Sequence, residues 1–126
     1  MSLRLFGKIV LPLALSLITF AAATEGTPVT VKGYVLDSAC AFTKNLDKPI
    51  SAGCARACAK AGSPLVTLDD DGTVYWPIAD TTPATGQNEK LMKFAGQKVT
   101  AKGKVFQRGG SSAIVIESME PLASAK

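Results

Sequence analysis

Three cysteines, Cys40, Cys54 and Cys58, are the residues of this chain whose types and spacing could do chemistry. All lie in one stretch from Asp37 to Gly62, DSACAFTKNLDKPISAGCARACAKAG. Cys40 follows a predicted strand. Cys54 and Cys58 are four apart on a predicted helix, so their side chains share one face. The first chemistry open to such a set is one structural disulfide with one spare thiol. In a regular helix, Cβ atoms four residues apart lie about 5–6 Å from each other, whereas a disulfide wants about 3.5–4.5 Å. Cys40 is therefore the expected first partner, with Cys54 or Cys58 as the second. Such a bridge closes a loop of about 15 or 19 residues, which contributes about 3 kcal/mol through chain entropy.

A second chemistry is a soft-metal site for copper or zinc, with Cys40, Cys54 and Cys58 as thiolates. A structural zinc wants four ligands and the chain has no histidine, so Asp37, Met92 or Met119 would have to complete the set. The third is thiol–disulfide exchange with Cys54, in the first helical turn, as nucleophile. Its Cys-x₃-Cys spacing differs from the Cys-x-x-Cys of thioredoxin-like enzymes, and without histidine there is neither a Cys-x-x-Cys-His haem attachment nor a Cys–His pair. The structural disulfide ranks first of the three, and a non-enzymatic role leads. On a helical wheel Cys54, Ala57, Cys58 and Ala61 fall together, opposite Arg56 and Lys60. The cysteine face is thus expected to pack inward, the spare thiol serving as a small hydrophobe.

The compartment bears on this ranking. Arg4 and Lys8 precede an uncharged run from Ile9 to Ala23 that ends in Ala21-Ala22-Ala23, the parts of a secretory signal peptide. That run falls below the roughly 20 residues that span a bilayer, so cleavage near Ala23–Thr24 is expected and a retained anchor is the lesser alternative. Export to a periplasmic or extracellular space favours disulfides. Cleavage also removes two of the 14 cationic residues, which leaves about +2 and little ground for a nucleic-acid partner.

The elements that must position the cysteines follow from periodicity. PVTVKGYVLD alternates as a strand, with Gly33 marking a bulge or bend. Residues 41–50 read as loop. Ser51 caps a helix over 52–61, which Gly62 and Pro64 stop. LVTLD and TVYWPI form a hairpin around Asp70-Asp71-Gly72; this acidic turn lacks the ligand spacing of a calcium loop. Asn88 is placed to cap a short helix, EKLMKFA, before two further strands, QKVTAKGKVFQ and SAIVIESME. Lys98, Lys102 and Lys104 alternate with small apolar residues, as on a strand wet on one face.

Without the cysteine insertion the order is β-β-β-α-β-β, which predicts a mainly β fold: a five-stranded OB-like barrel with a helix between the third and fourth strands. The expected organisation is a signal peptide over 1–23, a linker over 24–28, the barrel over 29–121 and a tail over 122–126. The stretches GYVLDSAC, CARACAKAGSPLV, DDDGTVYWPI, TGQNEKL and FAGQKVTAKGKVF resemble a family of small exported bacterial OB-like domains, over roughly Val29 to Glu120. That resemblance implies the fold and export, and brings no activity or catalytic residues with it. Tyr34, Tyr75 and Trp76 are the candidate ligand surface, one of the last two being core and the other outward. A protein or a small ligand fits such a surface better than single-stranded nucleic acid, given 6% aromatic residues and the low charge.

Overall fold

Alternating β-branched and polar residues extend the first strand, and one glycine lets it serve two neighbours. In the computed structural model, which describes residues 26–44 and 51–122, β1 (Thr27–Asp37) pairs antiparallel with both β2 (Leu65–Asp69) and β4 (Lys98–Arg108). Gly33 stands where the two ladders overlap, opposite Asp69 on one side and Val99 on the other. A Cβ there would collide with the Leu68 carbonyl, so the turn of β1 from one partner to the other depends on glycine. β3 (Val74–Ile78) pairs antiparallel with β2 and parallel with β5 (Ser111–Pro121), which returns antiparallel to β4. The sheet closes in the order β1-β2-β3-β5-β4. This is the OB-like barrel that the element order predicts.

The barrel interior holds two apolar groups that share Ile116 and Met119. One consists of Val31, Ala101, Val105 and Ile114, with Val29 and Tyr75 against it. The other is Val35, Leu65 and Val99, which would face water at the barrel end if nothing covered them. Leu91, Phe94 and Ala95 cover them, from α3 (Gln87–Met92) and the turn that follows it. Burying a leucine or phenylalanine contributes about 2–3 kcal/mol.

The cysteine insertion differs from its sequence reading in two ways. Residues 41–43, expected as the start of a loop over 41–50, instead end a short helix α1 (Ser38–Thr43) capped by the Asp37 side chain. The second helix, α2 (Ala52–Lys60), starts at Ser51 as anticipated. Its packed face, however, is Ala55 and Ala59, which join the core under α3; Cys54, Ala57 and Ala61 are exposed and Cys58 is half-buried. The approach of α2 explains the difference. Ala52 lies so close to Gly96 that a Cβ on the glycine would overlap it, and at that distance only alanine fits beneath the helix. The cap anticipated at Asn88 is also corrected. Gly86 holds the N-cap position without a side-chain bond. Asn88 instead donates to the Ser63 carbonyl and accepts from Leu65 N, both at 2.8 Å. It thereby ties α3 to the start of β2.

The expected signal peptide over 1–23 and most of the tail lie outside the described residues. Among the described residues no helix is long and apolar enough to cross a membrane.

Gly96 combines a left-handed φ of 76° with the Ala52 contact, while Gly62 has a φ of 102° and open space around its Cβ position. Gly96→Ala is expected to cost about 2–4 kcal/mol in urea unfolding, from backbone strain plus overpacking. Gly62→Ala should lose only the backbone share of about 1–2 kcal/mol. Equal losses at the two positions would remove the packing role given to Gly96.

Candidate functional site

The end of β1 is where polar and sulfur chemistry concentrates. Asp37 is only 4% exposed, and a buried carboxylate needs donors. Its Oδ1 accepts from Cys40 N at 3.0 Å, and its Oδ2 accepts from the Ser63 hydroxyl. The Ser63 bond chiefly, helped by the Cys40 bonds and opposed by burial, lowers the Asp37 pKa below the ordinary carboxylate value. Burial first, then the adjacent Asp37 carboxylate, pushes the Cys40 thiol above the ordinary cysteine value. Cys58 acts on Cys40 in the same sense, and Lys44 acts against it. Cys40 is therefore kept as a thiol, the opposite of an activated nucleophile.

The residues proposed as metal ligands from the sequence divide accordingly. Asp37, Cys40 and Cys58 share one neighbourhood, with Asp37 already engaged as helix cap and acceptor. Cys54 lies at the exposed N-terminal end of α2, its N–H donating to Ser51 Oγ at 3.2 Å. Among the described residues no three or more Cys, Asp or Glu side chains are grouped to hold a metal ion. All three cysteines are free thiols in this structure.

The second candidate is aromatic. Strand alternation turns Tyr75 inward, against Val31 and Ile114, and Trp76 outward. The outward indole meets Phe42 of α1, with ring centroids 6.3 Å apart and planes inclined at 31°. Phe42 is 65% exposed, the one large hydrophobic residue so exposed among the described residues. Trp76 pairs across β5 with Ala113, and Ala113 across β4 with Phe106. Half-buried apolar side chains thus run along the outer face from α1 across β3 and β5. Tyr34 stands apart from this band, its ring against Lys98 (Nζ 5.7 Å from the centroid), which also pairs with Asp70 at 2.8 Å. Phe42 was not among the residues singled out from the sequence. Its signal was there, a large aromatic two residues after Cys40, but it matters only because α1 is a helix laid over the sheet.

The acidic turn is held by local bonds, Asp69 Oδ1 accepting from Asp71 N and Asp71 Oδ1 from Thr73 N, and by the Lys98 pair with Asp70. A shallow groove of about 470 Å³ lies between α3 and β5, floored by Leu91, Phe94, Ile116 and Met119; none of the cysteines lines it. No protein-family model, curated protein or solved structure matches the chain.

Because the Asp37 pKa is lowered on folding, its contribution is complete above the unfolded value near 4 and is lost as pH falls through the folded value. Asp37→Ala should cost about 2 kcal/mol at pH 7, from a lost cap and a lost charged hydrogen bond. The gap from the parent protein should narrow below pH 4 in urea titrations run across that range. A gap that stays constant with pH would contradict this role.

Proposed function

We propose that this chain is an exported, non-enzymatic binding module. Its barrel is a scaffold for the apolar band around Phe42 and Trp76, and a disulfide from Cys40 to Cys54 or Cys58 strengthens it. One observation carries the reading. Phe42, 65% exposed, is held against the outward face of Trp76 at the junction of the β1–β2 insertion with β3, the part of an OB-like barrel where ligands are commonly received. Large apolar side chains left open on a small domain mark interaction surfaces. The resemblance to small exported domains and the signal-like start support the compartment. The partner class favoured is a protein or a small apolar ligand. Recognition of single-stranded nucleic acid needs bases stacked on aromatics in a cationic groove; Lys104 pairs with Val115 beside the band, but aromatic residues make up only 6% of the chain.

Trp76 is the only tryptophan, so its emission reports on this surface directly. Titration with the apolar dye anilinonaphthalene sulfonate should show saturable binding to the folded protein. Phe42→Ala should weaken that binding at least five-fold while moving the urea midpoint little, because the ring is mostly exposed. Dye binding unchanged by both Phe42→Ala and Trp76→Ala would overturn the assignment of the surface. Turnover of a model disulfide that vanishes in Cys54→Ser would replace the module reading with an oxidoreductase.

Export has its own test. Expressed with its full leader in a bacterial host, the protein recovered from the periplasm should begin at Thr24 by intact mass. An uncut chain held in the membrane fraction would speak for the anchor instead.

A further inference from the structure

Asp37 gathers the ends of two helices around one carboxylate. Its Oδ1 takes Cys40 N, from the first turn of α1, and its Oδ2 takes the Ser63 hydroxyl. Ser63 N in turn donates to the Cys58 carbonyl at 3.0 Å, in the last turn of α2, and Ser38 N donates to the Pro64 carbonyl at 2.9 Å. Cys40 and Cys58 therefore flank the same buried group, each half-buried, while Cys54 sits toward the other end of α2 and is exposed. Inward packing of Ala55 and Ala59 sets this arrangement, because it leaves Cys58 beside the packed face and not within it.

We propose that Cys40 and Cys58 are oxidised to a disulfide that fastens α1 to α2, holds Phe42 over Trp76, and leaves Cys54 as a free surface thiol. This rests on the export reading for its oxidising surroundings, and does not depend on what the aromatic band binds. No two cysteines stand at disulfide distance in this structure, so closure needs an adjustment that brings the Cys40 and Cys58 sulfurs together. The seat of α1 permits it: the helix has six residues and none of them is buried. Phe42 is two residues from Cys40, so a bond at Cys40 restrains the aromatic ring as well.

The oxidant is a small-molecule or protein disulfide. Cys58, deprotonated to its thiolate, attacks one sulfur of that disulfide; an S–S bond forms to Cys58 and the first thiolate leaves. Cys40 then loses its proton to solvent and attacks the Cys58 sulfur, expelling the second thiolate. Two protein thiols give up two electrons and two protons, and the disulfide becomes two thiols. Cys58 takes the first step because burial and the neighbouring Asp37 carboxylate disfavour the Cys40 thiolate.

Trypsin separates the two possible partners of Cys40, because Arg56 lies between Cys54 and Cys58. The protein is purified without reductant, equilibrated with glutathione disulfide, alkylated and digested. Peptide 33–44 should be found linked to peptide 57–60, with Cys54 alkylated. A 33–44 peptide linked to the peptide that contains Cys54, or Cys40 found alkylated, overturns the proposal. In Cys54→Ser, reduction should lower the melting temperature by about 10–20 °C and raise iodide quenching of Trp76 at least two-fold. Cys40→Ser should show neither response to reductant. A melting temperature indifferent to reduction, or quenching that changes equally in Cys40→Ser, removes the strap. Peptide linkage is read without any ligand, so failure of the dye experiment and failure of the strap are distinguishable.

Discussion

The structure depends on one strand being shared by two neighbours. β1 pairs with β4 from Thr27 to Tyr34 and with β2 from Gly33 to Asp37, and the exchange happens at Gly33, where the backbone of β2 comes too close for any side chain. If β1 followed one partner throughout, the sheet would stay open and leave two rows of unpaired backbone groups. Closure removes those edges and fixes which residues face inward. A second glycine, Gly103, sits at the register shift in β4, where a Cβ would meet the Val115 carbonyl. Two backbone approaches that exclude side chains thus give the barrel its curvature.

Closing a small barrel leaves an end to be covered, and here two helices cover it together. α3 and its following turn insert Leu91 and Phe94 into the opening, and α2 adds Ala55 and Ala59 to the same cluster. Gly96 brings the α2 backbone at Ala52 too near for larger residues. Asn88 ties α3 to the start of β2, and the Ser63 hydroxyl ties the segment after α2 to Asp37 at the end of β1. Apolar contact therefore decides that α2 packs, and the polar groups decide where along the barrel it stops. The buried hydroxyl of Thr67, which has no hydrogen-bond partner among the described residues, lies within this same interior.

The strands were legible because alternation survives translation into three dimensions: Val29, Val31 and Val35, or Val99, Ala101 and Val105, need only a core on one side. Gly33 was legible for a similar reason, as glycine weakens a strand unless something requires it. The cysteine insertion was less so. SACAFT has no apolar period, and α1 exists because Asp37 caps it and the sheet lies beneath it, a tertiary cause invisible along the chain. In α2 the wheel separated charged from uncharged residues correctly, as Arg56 and Lys60 are exposed. It placed the buried face at Cys54, Ala57, Cys58 and Ala61, whereas Ala55 and Ala59 hold it. That choice is made by Gly96, which lies more than thirty residues away in sequence. Asn88 misled because asparagine serves equally well as a cap or as a bridge, and only the position of Ser63 and Leu65 selects between them.

The disposition of sulfur follows from the same steric fact. Had Cys54 and Cys58 packed inward, two thiols would have lain in an apolar layer, where a free cysteine behaves as a small hydrophobe. Alanine occupies that layer instead, and the cysteine pair is displaced around the helix toward the rim. There the four-residue spacing separates their fates: Cys58 meets the Asp37 neighbourhood and Cys54 meets water. A three-thiolate metal site would need the two to converge with Cys40, and among the described residues no three such side chains are grouped. A single covalent link needs only one of them. Asp37 tilts the balance further, because a carboxylate committed to a helix cap and to Ser63 has little left to offer a cation. The close packing of Ala52 on Gly96 thus sets where α2 sits on the barrel, and so which of its cysteines lies beside the Asp37 neighbourhood.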